Sequence, residues 1–194
     1  MRQIGRKLYH LFGGVGLLSL YYVLGRERSL LFYGCFFLVV LGIDLLRLRV
    51  NAVNRFVMRN FSSFIRKNEE HKLTGTAPYI MGIGISLYAY APEIATAAIC
   101  YLAFGDVAAT AIGERYGRTR IRDKSLEGTA AFIVAALIAG LILSFIGIEL
   151  MAGVMFMGVL VAAGVEILPL PVNDNLAIPI LSGAAMQLLM YCLM

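Results

Sequence analysis

The stretch Phe104–Gly128, FGDVAATAIGERYGRTRIRDKSLEG, sets one carboxylate into an apolar helix and then runs into a basic loop. Asp106 lies beside Gly105, Ala109 and Gly113, small residues four apart on one helix face. A charge inside a membrane-length helix costs about 2.5–3.5 kcal/mol on insertion scales, so Asp106 reads as a functional-site residue by default. The loop ends in Lys124-Ser125, and Glu127 opens the next apolar run. A carboxylate that leads into a basic loop suggests a metal ion beside a phosphate.

The surrounding chain puts this stretch in a membrane. Sixty percent of the 194 residues are hydrophobic and 15% charged, too apolar for a soluble globule of this size. The apolar residues come in blocks of about 20, the length of a spanning helix. Period-two alternation is absent, so the expected fold is an all-α, polytopic membrane helical bundle forming one domain over 1–194. Arg2, Arg6 and Lys7 precede an apolar run with no small-residue cleavage site, so signal-peptide processing is not expected. Cys35, Cys100 and Cys192 lie within apolar runs without metal-ligand spacing and read as packing residues.

Hydropathy predicts seven spans, at 8–24, 29–46, 74–91, 94–112, 128–148, 150–168 and 176–194. With the N-terminus inside, the inner segments 1–7, 47–73, 113–127 and 169–175 hold 3, 7, 5 and 0 basic residues, 15 of the 17. Only Arg26 and Arg28 fall outside, which by the positive-inside rule orients the chain in a plasma (inner) membrane with its polar clusters toward the cytoplasm. The net charge of +5 therefore reads as headgroup contact and implies no nucleic acid. Residues 50–67 interleave Val53, Phe56, Val57, Phe61, Phe64 and Ile65 with Arg55, Arg59, Arg66 and Lys67, the pattern of an amphipathic interfacial helix.

The candidate site residues all fall on the inner side. Arg6, Lys7 and His10 enter the membrane at the first span. Asp44 stands one turn before Arg47 and reads equally as a structural salt bridge or a site carboxylate. Thr74-Gly75 precedes the third span, where free backbone N–H groups attract phosphate oxygens, although Thr74 also suits an ordinary cap. Lys124 and Ser125 stand at the N-terminus of the fifth span, a good anion site, with Glu127 beside them. Glu166, near the inner end of the sixth span, returns to the depth of Asp106, and Asp174-Asn175 follow after a short link. Four carboxylates (Asp106, Glu127, Glu166 and Asp174) are thus expected to converge, and oxygen-only ligands point to Mg²⁺ rather than zinc. The small-residue stripe on the fourth span suits either an internal helix contact or a homodimer.

These motifs resemble a known family. RKLYH at 6–10, E-x-x-LTG at 70–75, FGD-x-x-A at 104–109, G-x-x-x-G at 113–117, KS-x-EG at 124–128 and E-x7-DN at 166–175 together resemble the dolichol kinase family, which includes CTP-dependent diacylglycerol kinases and phytol kinases. The resemblance covers nearly the whole chain in order, and the compact length looks like a prokaryotic version. It implies transfer of the γ-phosphate of CTP, with Mg²⁺, to the hydroxyl of a membrane lipid alcohol. On that basis Asp106, Glu166 and Asp174 hold the metal or position the hydroxyl. Lys124 and the amides near Ser125 bind phosphate, and Glu127 orients Lys124 or a second metal. Arg6, Lys7, His10, Thr74, Gly75 and Asn175 complete the nucleotide pocket. FGD and KS-x-EG also resemble CDP-diacylglycerol synthase, a cytidylyltransferase, but PLPVNDN at 169–175 stands where that family has PGxGGxxDRxD. A transporter needs a polar path through both leaflets, whereas these polar groups lie on one side. A structural scaffold leaves Asp106 and Glu166 without a purpose.

Overall fold

The computed structural model describes residues 2–62, 65 and 69–194, with side chains from Lys7 onward. Among the described residues it is an all-α bundle of eight helices and one small hairpin: α1 (Arg2–Leu24), α2 (Arg26–Arg49), α3 (Asn51–Phe61), α4 (Thr76–Ala89), α5 (Pro92–Tyr116), β1 (Arg120–Ile121), β2 (Lys124–Ser125), α6 (Leu126–Phe145), α7 (Ala152–Ile167) and α8 (Asp174–Leu193). The seven hydropathy spans fall on α1, α2 and α4 to α8. Among the described residues, α2, α5, α6 and α8 are long and apolar enough to cross a membrane, and α7 is a shorter apolar helix.

The bundle is built around α5. Proline at its first turn needs no N–H partner there, and every residue from Ile94 to Ala103 is buried. A helix apolar on all faces is a core helix, and α5 packs against α1, α4, α6, α7 and α8. The outer faces are apolar as well: Val134, Ile138, Leu141, Ile142 and Phe145 of α6, and Leu31, Leu38 and Val39 of α2, are all exposed. Exposed apolar surface of this extent on a helical bundle is lipid-facing.

The small-residue stripe of α5 is used inside the chain. A methyl group on Gly105 would come within 2.6–2.7 Å of the Phe132 ring on α6, and one on Gly128 within 2.8 Å of the Ala109 carbonyl oxygen. The stripe thus lets α6 approach α5 closely, the internal alternative of the two its sequence allowed. Gly105→Ala should therefore lower stability by about 1–3 kcal/mol, the usual cost of overpacking a filled contact. Thermal unfolding in detergent checks this, and an unchanged midpoint would remove the close contact from the account.

Three elements differ from the sequence expectation. The amphipathic helix was expected over 50–67, but α3 ends at Phe61; Phe64, Arg66 and Lys67 lie outside the described residues. The third span starts at Thr76 rather than 74, because Thr74 is drawn out of the helix by Asp44. The expected loop after α5 contains an antiparallel hairpin that pairs Arg120 with Ser125 and Ile121 with Lys124.

Candidate functional site

Alternation of the helices brings the N-termini of α1, α4, α6 and α8 to the same end of the bundle as the C-termini of α2, α5 and α7. Cross-helix contacts confirm this. Lys7 of α1 pairs with Asp106 of α5, both buried, across 99 residues of sequence. Lys124 of β2 donates to Glu166 Oε1 of α7 at 2.9 Å and to Asp174 Oδ2 of α8 at 2.8 Å. Thr129 Oγ1 of α6 donates to the other Glu166 oxygen at 3.0 Å. Two ammonium groups and three carboxylates therefore stand together at one end.

Local structure places each of them. The hairpin carries Lys124 back over the bundle end, and Leu126 N–H donates to Thr119 O at 3.0 Å to close it. Ser125 then caps α6, its Oγ accepting from Gly128 N–H at 3.0 Å. Asn173 caps α8 by accepting from Asn175 N–H at 3.0 Å, which sets Asp174 in the first turn. Asn175 in turn donates from Nδ2 to Gly75 O at 3.2 Å, tying α8 to the start of α4. Burial pulls the Lys124 ammonium pKa down, but the carboxylates of Asp174, Glu166 and Asp106 outweigh it and hold the pKa above the ordinary lysine value. Lys124 is a cation at neutral pH.

A second cluster braces this end. Arg47 is fully buried at the C-terminal end of α2 and donates to Asp44 Oδ1 at 2.7 Å. Its other nitrogens reach Glu69 O at 3.0 Å, Glu70 O at 3.1 Å, Asn54 Oδ1 at 3.4 Å and the Lys72 carbonyl. Asp44 Oδ2 accepts from Thr74 N–H at 2.8 Å and from its hydroxyl at 2.7 Å. Of the two readings open for Asp44, the structure shows the salt bridge.

The expected site residues sort as follows. Asp106, Lys124, Glu166 and Asp174 come together, with Asn175, Gly75 and Ser125 adjoining. His10 is buried with its ring 4.6 Å from that of Tyr79, whose hydroxyl donates to the His10 carbonyl. Arg6 has its side chain outside the described residues. The Thr74 amide, expected to meet phosphate, is engaged by Asp44, and the Gly128 amide near Ser125 is likewise engaged by the cap. Glu127, expected to orient Lys124 or a second metal, accepts from Thr119 N–H at 3.1 and 3.3 Å and fastens the hairpin that carries Lys124.

The three carboxylates expected to share one metal are divided between two lysines, and among the described residues no group of three His, Cys, Asp or Glu side chains could hold an ion. Glu166 and Asp174 nevertheless converge on one cation position, that of Lys124 Nζ. One or two carboxylates with phosphate oxygens and water make an ordinary magnesium shell, so this pair fits such an ion.

Sequence reasoning missed the Lys7–Asp106 pairing and the bracing role of Arg47. The second had a signal that was read in part: the Asp44–Arg47 spacing offered the salt bridge, though not the carbonyls of the 69–72 segment that Arg47 also binds. The first had none, since helix rotation decides which cation meets Asp106.

The comparisons bear on this arrangement. The chain is 30% identical over 142 residues to the CTP-dependent diacylglycerol kinase 1 of Saccharomyces cerevisiae, covering 70% of this chain and 48% of that protein. It is 31% identical to the protein of the same description in Eremothecium gossypii, over 70% of this chain and 44% of that one. An uncharacterized protein of Rickettsia prowazekii is 26% identical over 73% of this chain and 72% of its own length. The chain thus spans just under half the length of the two kinases it matches. No family model matches it, and no solved structure does. The resemblance read from the motifs stands: this sequence is similar to the CTP-dependent lipid kinases.

Proposed function

We propose, on that similarity, that the chain is a CTP-dependent lipid kinase, moving the γ-phosphate of CTP to the hydroxyl of a membrane lipid alcohol. The observation that carries it is the pair of lysines held among three carboxylates at one end of an apolar bundle. Phosphoryl transfer is catalysed almost wholly by positioning and charge stabilisation, and this cluster offers both. The lipid oxygen bonds to the γ-phosphorus as the bond from that phosphorus to the β-phosphate oxygen breaks, and CDP leaves. The hydroxyl proton passes to a carboxylate of the set Asp106, Glu166 and Asp174. Lys124 and Lys7 turn from carboxylate to phosphate and neutralise it. Ser125 and Glu127 hold the hairpin that carries Lys124, and Arg6, His10, Thr74, Gly75 and Asn175 border the nucleotide. Magnesium, where bound, would be held by Glu166 and Asp174, with Asp106 nearby, and would offset charge on the triphosphate.

Diacylglycerol is the first acceptor to test, since the named relatives are diacylglycerol kinases; polyprenol, dolichol and phytol are the other chemistries of the motif resemblance. An apolar cavity of about 310 Å³ between α1, α5 and α6, lined by Leu11, Phe104, Ala108, Ala139 and Ile142, supports a lipid acceptor. The positive-inside pattern supports a cytoplasm-facing site in a plasma membrane. Protein in detergent given Mg²⁺, mixed lipid alcohols and CTP labelled separately at the α- and γ-phosphates tests the reading. Label should move from the γ-position into lipid, with CDP released. Label moving from the α-position, with pyrophosphate released, would instead make the chain a cytidylyltransferase. No transfer and no CTP binding would end the enzyme reading.

A further inference from the structure

Helix α3 lies on the outside of the bundle: none of its residues is buried, and the helix it packs against is α2. Val50 is extended and breaks α2 at the inner end, so α3 starts where the lipid-facing surface of α2 stops. Arg55 and Arg59, four apart, share one exposed face. Val53, Phe56 and Val57 share another, with Phe56 63% exposed. The helix contains no acid, and Arg49 just before it is exposed as well. A basic helix with an apolar face, beginning two residues after a spanning helix ends, sits at headgroup depth. Asn54 ties it inward. Its Nδ2 donates to Glu70 O at 3.3 Å, and its Oδ1 accepts from Arg47 at 3.4 Å. Arg47 holds Asp44, and Asp44 holds Thr74. Next to Thr74, the Gly75 carbonyl accepts from Asn175, the neighbour of Asp174, which pairs with Lys124.

We propose that α3 is a docking site for anionic phospholipid headgroups, and that Asn54 and Arg47 pass its occupancy to the Lys124 site. The docking stands on the helix alone; the coupling rests on the nucleotide-dependent reading above. Charge complementarity names the occupant. Guanidinium groups pair with phosphate oxygens through a planar fork, and each arginine held at an anionic surface favours it about fivefold. A zwitterionic surface offers Phe56 the same apolar seat without net charge, so the arginines make the docking selective. A soluble acidic protein would meet the arginines, but it would have to displace lipid from Phe56, beside exposed Leu46 and Leu48 at the end of α2. Once seated, α3 holds Asn54 against Arg47, and the clamp holds Thr74-Gly75 and the start of α8 in place for the nucleotide. Lipid docking and nucleotide binding therefore favour each other, as linkage requires of coupled sites.

The chain has no tryptophan, so Phe56→Trp provides a single reporter in the full protein reconstituted into liposomes. Brominated phosphatidylglycerol should quench it more strongly than brominated phosphatidylcholine at equal mole fraction, and salt should erode the preference. Adding Arg55→Gln and Arg59→Gln should lower that preference about fivefold for each arginine removed. Equal quenching by the two lipids, or a preference that survives both substitutions, would overturn the docking. An emission that neither lipid alters, as for a helix turned to a soluble partner, would overturn it as well. The coupling is read from displacement of a fluorescent CTP analogue. Affinity for CTP should rise about fivefold or more as phosphatidylglycerol replaces phosphatidylcholine, although an anionic surface by itself repels the nucleotide. Asn54→Ala should abolish the rise while leaving the lipid preference of the reporter intact. CTP affinity indifferent to lipid composition would overturn the coupling. A chain that bound no CTP in any lipid would overturn the proposed function, and the quenching would still decide the docking.

Discussion

Lys124→Gln is expected to lower kcat/KM for phosphate transfer about 10²- to 10³-fold, the usual effect of removing one charge-stabilising donor from a phosphoryl- or acyl-transfer site. Lys124 touches both Glu166 and Asp174. Its removal also leaves Glu166, only 3% exposed, with Thr129 as its remaining hydrogen-bond donor among the contacts described. A loss of rate from misfolding must therefore be separated from a loss of chemistry. The double variant Lys124→Gln/Glu166→Gln removes the charge mismatch and should recover the thermal midpoint without recovering the rate. If the double variant regained activity along with stability, Lys124 would be a structural counter-ion and the mechanism proposed for it would fall.

The largest stability effect is expected at Arg47. Arg47→Ala should cost about 3–5 kcal/mol, the range seen when one partner of a buried ion pair is deleted. Asp44 would keep Thr74 but lose its cation, and the carbonyls of Glu69, Glu70 and Lys72 would lose their shared donor. Arg47→Lys should recover little of this, because one ammonium cannot reproduce the planar fork that serves α2, α3 and the 69–72 segment together. Denaturant unfolding in detergent measures the cost, and proteolysis after Lys72 should accelerate in step. A loss below about 1 kcal/mol would put the pair in the class of solvated surface bridges and contradict its burial.

How far the sequence carried depended on the physics of each feature. The helices were legible because a bilayer selects for runs of apolar residues, and all seven spans correspond to helices in the structure. Gathering Asp106, Lys124, Glu166 and Asp174 at one end was legible too, since alternation of spans assigns each to a side. What was not legible depended on rotation about helix axes and on local closure. The cation that meets Asp106 comes from α1, a choice invisible to hydropathy. The hairpin that aims Lys124 has strands of two residues, too short for any period to register. Thr74 looked like a cap with free amides nearby, and only the position of Asp44, 30 residues earlier, shows that its amide is engaged.

The Lys7–Asp106 pair bears on how the protein enters its membrane. Of the four long spans α5 is the least apolar, and it carries an acid whose insertion alone would cost about 2.5–3.5 kcal/mol. Because the ribosome makes α1 first, the ammonium that will neutralise Asp106 is already in place when α5 emerges. The first helix thus supplies the counter-ion of the fifth from a segment made before it. Biogenesis, rather than turnover, would then be the earliest process to suffer when Lys7 is changed, with α5 slipping out of its span before any substrate is met.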